Sequence, residues 1–422
     1  MKTKNLTAFK PHLLVWLTVS LLASTANAGE LAVGTVIDAS NIDALRNEKF
    51  EQHPISELIP ASLERMIREY KLRIKIKHSE LPALDPQFLS LTKQYSPAVR
   101  FNEKTKLVEN YIAGTPFPDI RADDPNAGYK VMYNTFFFPS LLNNGETVSA
   151  STLLIDAKQG LEQVQVMQYS VVPMVGRIDT PHVVGDGSIS KRELVVFTEP
   201  YDIRGMGTYT QRYIDGRPDE TSVYLRSVRR LRRLTGGAWM DQVGGTDYLY
   251  DDINGFNAHP TWYKDFRYLG RKWIFGMVMR KPPRVRGASS PDAEFPLVDL
   301  KNPPYWNPVM DWEPIEVHIV EAIPPSTHPY SKKIYYYSAA LPGYATYGEF
   351  YDKQGALWKV DFWGPRGGYV DAKGRKMPSA GYHDFVIDIK SKHASVIFGW
   401  DILRSDLRPE DVTAEKLVEV AK

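Results

Sequence analysis

The sequence predicts a mainly β fold of the α+β class, built as a meandering antiparallel sheet with a few covering helices. Three observations carry this. Aromatic residues make up 12% of the 422 residues, with Tyr 24 and Trp 9. Gly 29 and Pro 30 punctuate the whole chain, which favours short strands over long helices. From Glu146 onward, β-rich segments recur at short intervals with turn sequences between them.

The first residues read as a secretion signal. Lys2, Lys4 and Lys10 lead into the apolar run Leu13 to Ala23. That run is shorter than the about 20 residues that span a bilayer. Ala26-Asn27-Ala28 supplies a small-residue cleavage site before Gly29. The expectation is a removed signal over 1–28 and a single domain over 29–422, with an N-terminal helical segment.

Ser62 to Tyr70 predicts a helix, since Leu63, Met66, Ile67 and Tyr70 recur at helical spacing and Ser62 is placed as a cap. Leu72 to Lys77 alternates apolar and basic residues and reads as a strand. Asp85-Pro86 opens a short helix that ends before Pro97. Asp124-Pro125 starts another, with Pro125 at a first helical position and Tyr129 to Phe138 as its aromatic body. Strands are expected over Val148–Asp156, Leu161–Val172, Glu193–Thr198, Gly207–Ile214 and Thr221–Leu225. Asp215-Gly216-Arg217-Pro218 is a hairpin turn. Further strands follow at Tyr268–Met279, Trp312–Ala322, Lys332–Ala339, Gly343–Asp352, Ala356–Trp363, Gly381–Ile389 and Ala394–Trp400. The Pro- and Ser-rich stretch Arg280 to Pro308 is a long loop. Asp411 to Ala421 predicts a closing helix capped by Thr413.

Composition excludes several functions. Lys+Arg 52 against Asp+Glu 50 gives a net charge of +2, so nucleic acid is not an expected partner. The chain has no cysteine, which removes a lipid-modified cysteine anchor and all cysteine chemistry. The histidines never fall at metal-ligand spacing, no G-x-S-x-G elbow occurs, and Gly205-Met206-Gly207 precedes no helix. No cofactor, no metal and no enzymatic activity are expected.

The densest stretch runs from Thr221 to Asn257. Within it, Arg226, Arg229, Arg230, Arg232 and Arg233 interleave with Val228, Leu231 and Leu234. Apolar spacing of three fits a strand with a bulge near Arg229-Arg230. These arginines are either a solvated, edge-protecting face or a contact for anionic headgroups or an acidic partner. The segment YLRSVRRLRRLTGGAWMDQVGGTDYLYDDINGFN resembles the outer-membrane lipoprotein-sorting-like proteins, and more closely their branch known as domain of unknown function 1329. Ala113 to Pro118, Asp124 to Lys130 and the C-terminal Arg408-Pro409-Glu410-Asp411 agree with that branch.

This resemblance implies a LolA/LolB-like fold: a strongly curved antiparallel sheet, or incomplete β-barrel, with helices covering the concave face. It implies a periplasmic carrier of a lipid or other hydrophobic molecule, working with an inner-membrane transporter or an outer-membrane protein. An adaptor that docks through the arginines is the alternative, and a hydrolase a more distant one. Stiff aromatics hold an apolar cavity open. The candidate lining residues are therefore Tyr209, Tyr213, Tyr224, Leu225, Trp239, Tyr335, Tyr337, Phe350 and Trp358, with ordinary core packing as the other reading for each.

Overall fold

A computed structural model describes residues 29–421 apart from 81–83, 139–143, 227–228, 235, 280–282, 365–368, 371–375 and 378–382. The expected signal at 1–28 lies outside the described residues. The strands of one large sheet are numbered here in chain order. They are β1 Val36–Ile37, β2 Ile74–Ile76, β3 Glu146–Asp156, β4 Gly160–Pro173 and β5 Ile189–Glu199. Next come β6 Gly207–Tyr213, β7 Glu220–Leu225, β8 Arg230–Arg233, β9 Asp265–Val278 and β10 Asp311–Ile323. The last are β11 Lys332–Ser338, β12 Ala345–Tyr351, β13 Leu357–Trp363, β14 His383–Asp388 and β15 His393–Ser405. The longer helices are α1 Ala61–Tyr70, α2 Pro86–Tyr95, α3 Ala127–Phe136 and α4 Ala414–Val420.

Two antiparallel meanders make the sheet. Strands β3 to β8 form one, and β9 to β15 the other. They join where β15 pairs antiparallel with β3. Strands β8 and β9 stand at the two ends and do not pair, so the sheet is an incomplete barrel. Short β2 adds to β10 in parallel at Asp311 and Trp312, and β1 adds to β2.

Each face has its own core, and alternation assigns side chains to one or the other. In β11, Tyr336 belongs to one core while Tyr335 and Tyr337 belong to the second. Helix α1 packs Leu63, Met66 and Ile67 with Ile315, Tyr347 and Phe362 on the first face. The loop that follows β9 joins them through Phe295, Leu297 and Trp306, so it covers that face. Helix α4 packs Leu417 with Leu194, Val196 and Tyr224 of β5 and β7. Helix α3 lies on the second face, with Tyr129 and Tyr133 against Phe266 and Tyr335. Gly128 permits that approach: a Cβ there would lie 2.3 Å from the Phe266 carbonyl oxygen. The helices thus divide between the two faces.

Three local expectations need correction. Ser62 is not the cap of α1, which starts after Pro60. Its hydroxyl is buried and exchanges hydrogen bonds with Glu349 and Tyr347. Pro125 precedes the Asn126 cap of α3 and is not its first residue. The arginine run is not a bulged strand. Leu225 pairs with Arg230 and Ser222 with Arg233, so β7 and β8 form a hairpin, and Arg229 turns the chain at φ +50°. Asp85 and Thr413 do cap α2 and α4, accepting from the Phe88 and Lys416 amides at 3.1 and 3.2 Å.

Candidate functional site

Consecutive strands β8 and β9 lie at opposite ends of the sheet, so residues 234–264 between them must cross one of its faces. This strap runs over the face that carries Tyr335 and Tyr337. Its middle is held by buried charge. Lys333 Nζ lies 2.9 Å from Asp251 and 2.7 Å from Asp252, and all three side chains are 0% exposed. Tyr263 and Tyr330 donate to Asp251 and Asp252 at 2.5 and 2.9 Å. Burial works against the Lys333 charge, and the carboxylates of Asp251 and Asp252 overcome it, so its pKa sits well above the ordinary value. Burial likewise opposes the Asp251 charge, and Lys333 and His328 hold that carboxyl below its ordinary range. Tyr337 donates to the Gly255 carbonyl at 3.1 Å. Gly255 takes φ +80°, and a Cβ there would meet Ala345 Cβ at 2.4 Å, so only glycine suits the position.

At the strap's far end, Arg212 is 2% exposed and donates to Asp219 at 2.7 Å and to the Asn257 side chain and carbonyl at 2.7 and 2.9 Å. Glu193 accepts from Lys191 at 2.7 Å and from the Tyr169 hydroxyl. Burial would raise the Glu193 pKa, but Lys191 and Arg212 hold it below the usual carboxylate range.

Between the strap and strands β3 to β7, β14 and β15 lies a cavity of about 390 Å³. Register lays out its floor in cross-strand rows. The first row is Asp384, Ile397, Thr152 and Gln165, each the direct partner of the next on β14, β15, β3 and β4. The second is Gly399, Ala150, Met167 and Phe197. The third is Val148, Tyr169, Val195, Thr208 and Val223. The last brings Glu193 beside Thr210 and Thr221, with Glu146 on β3 at that end. Rows two residues apart on a strand are roughly 6.8 Å apart, so the floor runs roughly 20 Å from Thr152 to Glu146. An apolar band therefore lies between two polar ends. The strap closes it from above with Trp239, Val243, Tyr248 and Ile253.

The polar lining is acidic. Glu146, Glu193, Asp219, Asp241 and Asp384 line the cavity, and among the described residues no Lys, Arg or His does. Burial pushes Asp384 up to about 7, against the Asn254 amide and the Trp363 indole. Neighbouring Asp361 is raised well above its ordinary value by burial, then by Asp384 and Asp252. Among the described residues, no group of three His, Cys, Asp or Glu is placed to hold a metal.

Of the nine lining candidates, Trp239 alone lines this cavity. Alternation explains the others. Thr208 and Thr210 turn to the cavity, so Tyr209 and Tyr213 turn away; Val223 turns in, so Tyr224 packs with α4 on the other face. Leu225 sits at the strand end beyond Val223. Tyr335, Tyr337 and Phe350 share the cavity's face but lie in the core with α3 and the strap. Trp358 donates to Asp388 at 2.8 Å, away from the opening. The cavity-lining residues of β3, β4 and β5 are not among the candidates, because aromatic content was the criterion. The two-residue alternation of Val148, Ala150 and Thr152 was the available signal. Among the arginines, Arg230, Arg232 and Arg233 stand exposed on edge strand β8. Arg233 pairs with Glu220 at 3.0 Å, Arg226 donates to the Arg204 carbonyl at 3.2 Å, and Arg229 forms the turn. None of the five reaches the cavity.

One strap anchor is pH-sensitive. His393 Nδ1 lies 2.6 Å from Asp247 Oδ2, and the Asp247 amide donates to Ser395 Oγ at 2.8 Å. The hydrogen bond to Asp247 raises the His393 pKa above its ordinary 6.5. A raised folded value means that the contact's stability is complete below the unfolded value and is lost as pH rises through the folded one. Thermal unfolding of wild type and His393→Gln across this range should show a gap in Tm that closes as pH rises. A gap that widens would contradict it.

Solved structures similar to this chain include a domain named for outer membrane lipoprotein sorting, from Vibrio parahaemolyticus, at 14% identity and TM-score 0.47, covering 70% of this chain and 100% of that one. A DUF1329 family protein from Desulfovibrio piger matches at 17% identity and TM-score 0.46, covering 70% and 99%. A LolA superfamily protein from Nitrosomonas europaea matches at 15% identity and TM-score 0.38, covering 68% and 98%. Among curated proteins none matches. The family described as "Protein of unknown function (DUF1329)" matches residues 36–400, and the chain belongs to that family.

Proposed function

We propose that this protein is a periplasmic carrier that holds one hydrophobic molecule between its sheet and its strap and exchanges it with an envelope transporter. The observation that carries the reading is the apolar band of Ala150, Met167, Phe197, Val148 and Val195, closed over by Trp239 and Val243. An apolar molecule gains by entering such a space, because each methylene it buries contributes about 0.8 kcal/mol. No helix among the described residues is long and apolar enough to cross a membrane. The exposed arginines of β8 are the surface we assign to that partner.

Native mass spectrometry and lipid extraction of protein taken from the periplasm are expected to show a bound apolar molecule. Ala150→Phe should lose it, and should also lose the uncharged dye N-phenyl-1-naphthylamine. Its stability should stay within about 1 kcal/mol of wild type, since the ring enters open space and not packed core. Arg230→Glu combined with Arg232→Glu should leave the occupant in place. Empty wild-type protein that also fails to bind the dye would end the carrier reading.

A further inference from the structure

The first row of the cavity floor differs from the rest in what its side chains lack. Asp384 is 0% exposed, Thr152 0% and Gln165 4%. Among the described residues, each keeps an oxygen that meets no hydrogen bond of good geometry: Asp384 Oδ1, whose carboxyl the Trp363 indole approaches, Thr152 Oγ1 and Gln165 Oε1. The other atoms of these groups are engaged. Asp384 Oδ2 accepts from the Asn254 amide at 3.4 Å, and Gln165 Nε2 donates to Gln163 and to the Gly244 carbonyl at 3.1 and 3.4 Å. An unmade hydrogen bond on a buried polar group costs about 1–3 kcal/mol. Three of them in one register row, all lining one cavity, are a built acceptor site.

The sign of the site follows from its chemistry. The Asp384 and Gln165 oxygens accept, the Thr152 hydroxyl can accept or donate, and among the described residues the lining offers no cation to a carboxylate or phosphate. We propose that the row Asp384–Thr152–Gln165 binds the hydrogen-bond-donating head of an amphiphile, a hydroxyl or a protonated amine, whose apolar body lies along the band toward Glu193. The proposal rests on the carrier reading above and excludes free fatty acids and anionic phospholipids as the preferred cargo. The unused oxygens receive the donor, and the body covers Ala150, Met167 and Phe197.

The test is competition against N-phenyl-1-naphthylamine on the full-length mature protein with dodecanol, dodecylamine and laurate, which share one chain length. Dodecanol and dodecylamine should displace the dye at concentrations at least about tenfold below laurate, since laurate would bury a carboxylate among acids with no cation to receive it. The two arms then separate the sources of the donor. Asp384→Asn should weaken the amine about tenfold and the alcohol little, because the amide keeps an acceptor oxygen but carries no charge. Thr152→Val, which keeps the shape, should weaken both. Asp384→Asn removes a buried carboxyl and should unfold no more easily than wild type, which keeps the variant usable. Laurate competing as well as dodecanol would overturn the proposal while leaving the carrier reading standing. Unchanged amine binding in Asp384→Asn, or unchanged binding of both in Thr152→Val, would overturn the placement. A protein that binds neither dye nor any of the three would overturn both readings.

Discussion

Lys333→Met is expected to destabilise the fold by about 3–5 kcal/mol and to free the strap. The substitution keeps the volume and removes the charge. Asp251 and Asp252 would then stand adjacent, fully buried, without the ammonium that lies within 3 Å of both. The cost comes from stranding the carboxylates, and not from losing a favourable pair as such, because burying an ion pair is itself near balance. A second set of variants separates the two. Lys333→Met combined with Asp251→Asn and Asp252→Asn removes the stranded charge and should recover more than half of the loss. Urea unfolding of wild type, single and triple variants measures this. A triple variant no more stable than the single would mean that the ammonium acts through something other than these acids. Since Asp251 and Asp252 hold the strap's middle, the single variant should also lose the dye, while the triple retains it.

Arg212→Met is expected to cost about 3–5 kcal/mol by the same logic at the other end of the strap. Burial opposes the guanidinium charge, and Asp219 with Glu193 overcomes it and raises its pKa. Arg212 also makes two hydrogen bonds to Asn257, so it ties β6 directly to the strap. Loss of the cation would leave Glu193 and Asp219 at the far end of the cavity with Lys191 as their remaining buried cation. Arg212→Lys keeps the charge but cannot reach Asp219 and both Asn257 oxygens with one fork, so it should recover only part of the loss. Denaturant unfolding ranks the three proteins. Equal stability of Arg212→Lys and wild type would show that charge alone matters there.

Much of the fold was legible locally. The expected strands over 148–156, 161–172, 343–352 and 356–363 fall close to where β3, β4, β12 and β13 stand. Caps at Asp85 and Thr413 named two helix starts, because a side chain bonding an amide three residues on is a short-range event. The arginine run misled for a short-range reason too. A hairpin of this kind needs one residue in the left-handed region, and Arg229 carries no glycine-like mark to announce it.

The cavity was not legible, and its reason lies in distance along the chain. Asp384, Thr152 and Gln165 become neighbours only through the pairing of β14 with β15 and of β15 with β3, and no periodicity reports which strand pairs with which. The same holds for Asp251-Asp252, whose role nothing nearby in the chain announces and which is the counter-charge of Lys333 some eighty residues on. By itself the sequence determined the strand-rich class, most strand limits, the family resemblance, and the importance of the segment from Thr221 to Asn257. Only the tertiary structure decided that this segment is a strap, because its path depends on β8 and β9 ending up at opposite ends of the sheet. That same crossing turns an apolar floor with acidic ends into a covered site, since a sheet face collects residues by register and a cavity exists only once something is laid across it.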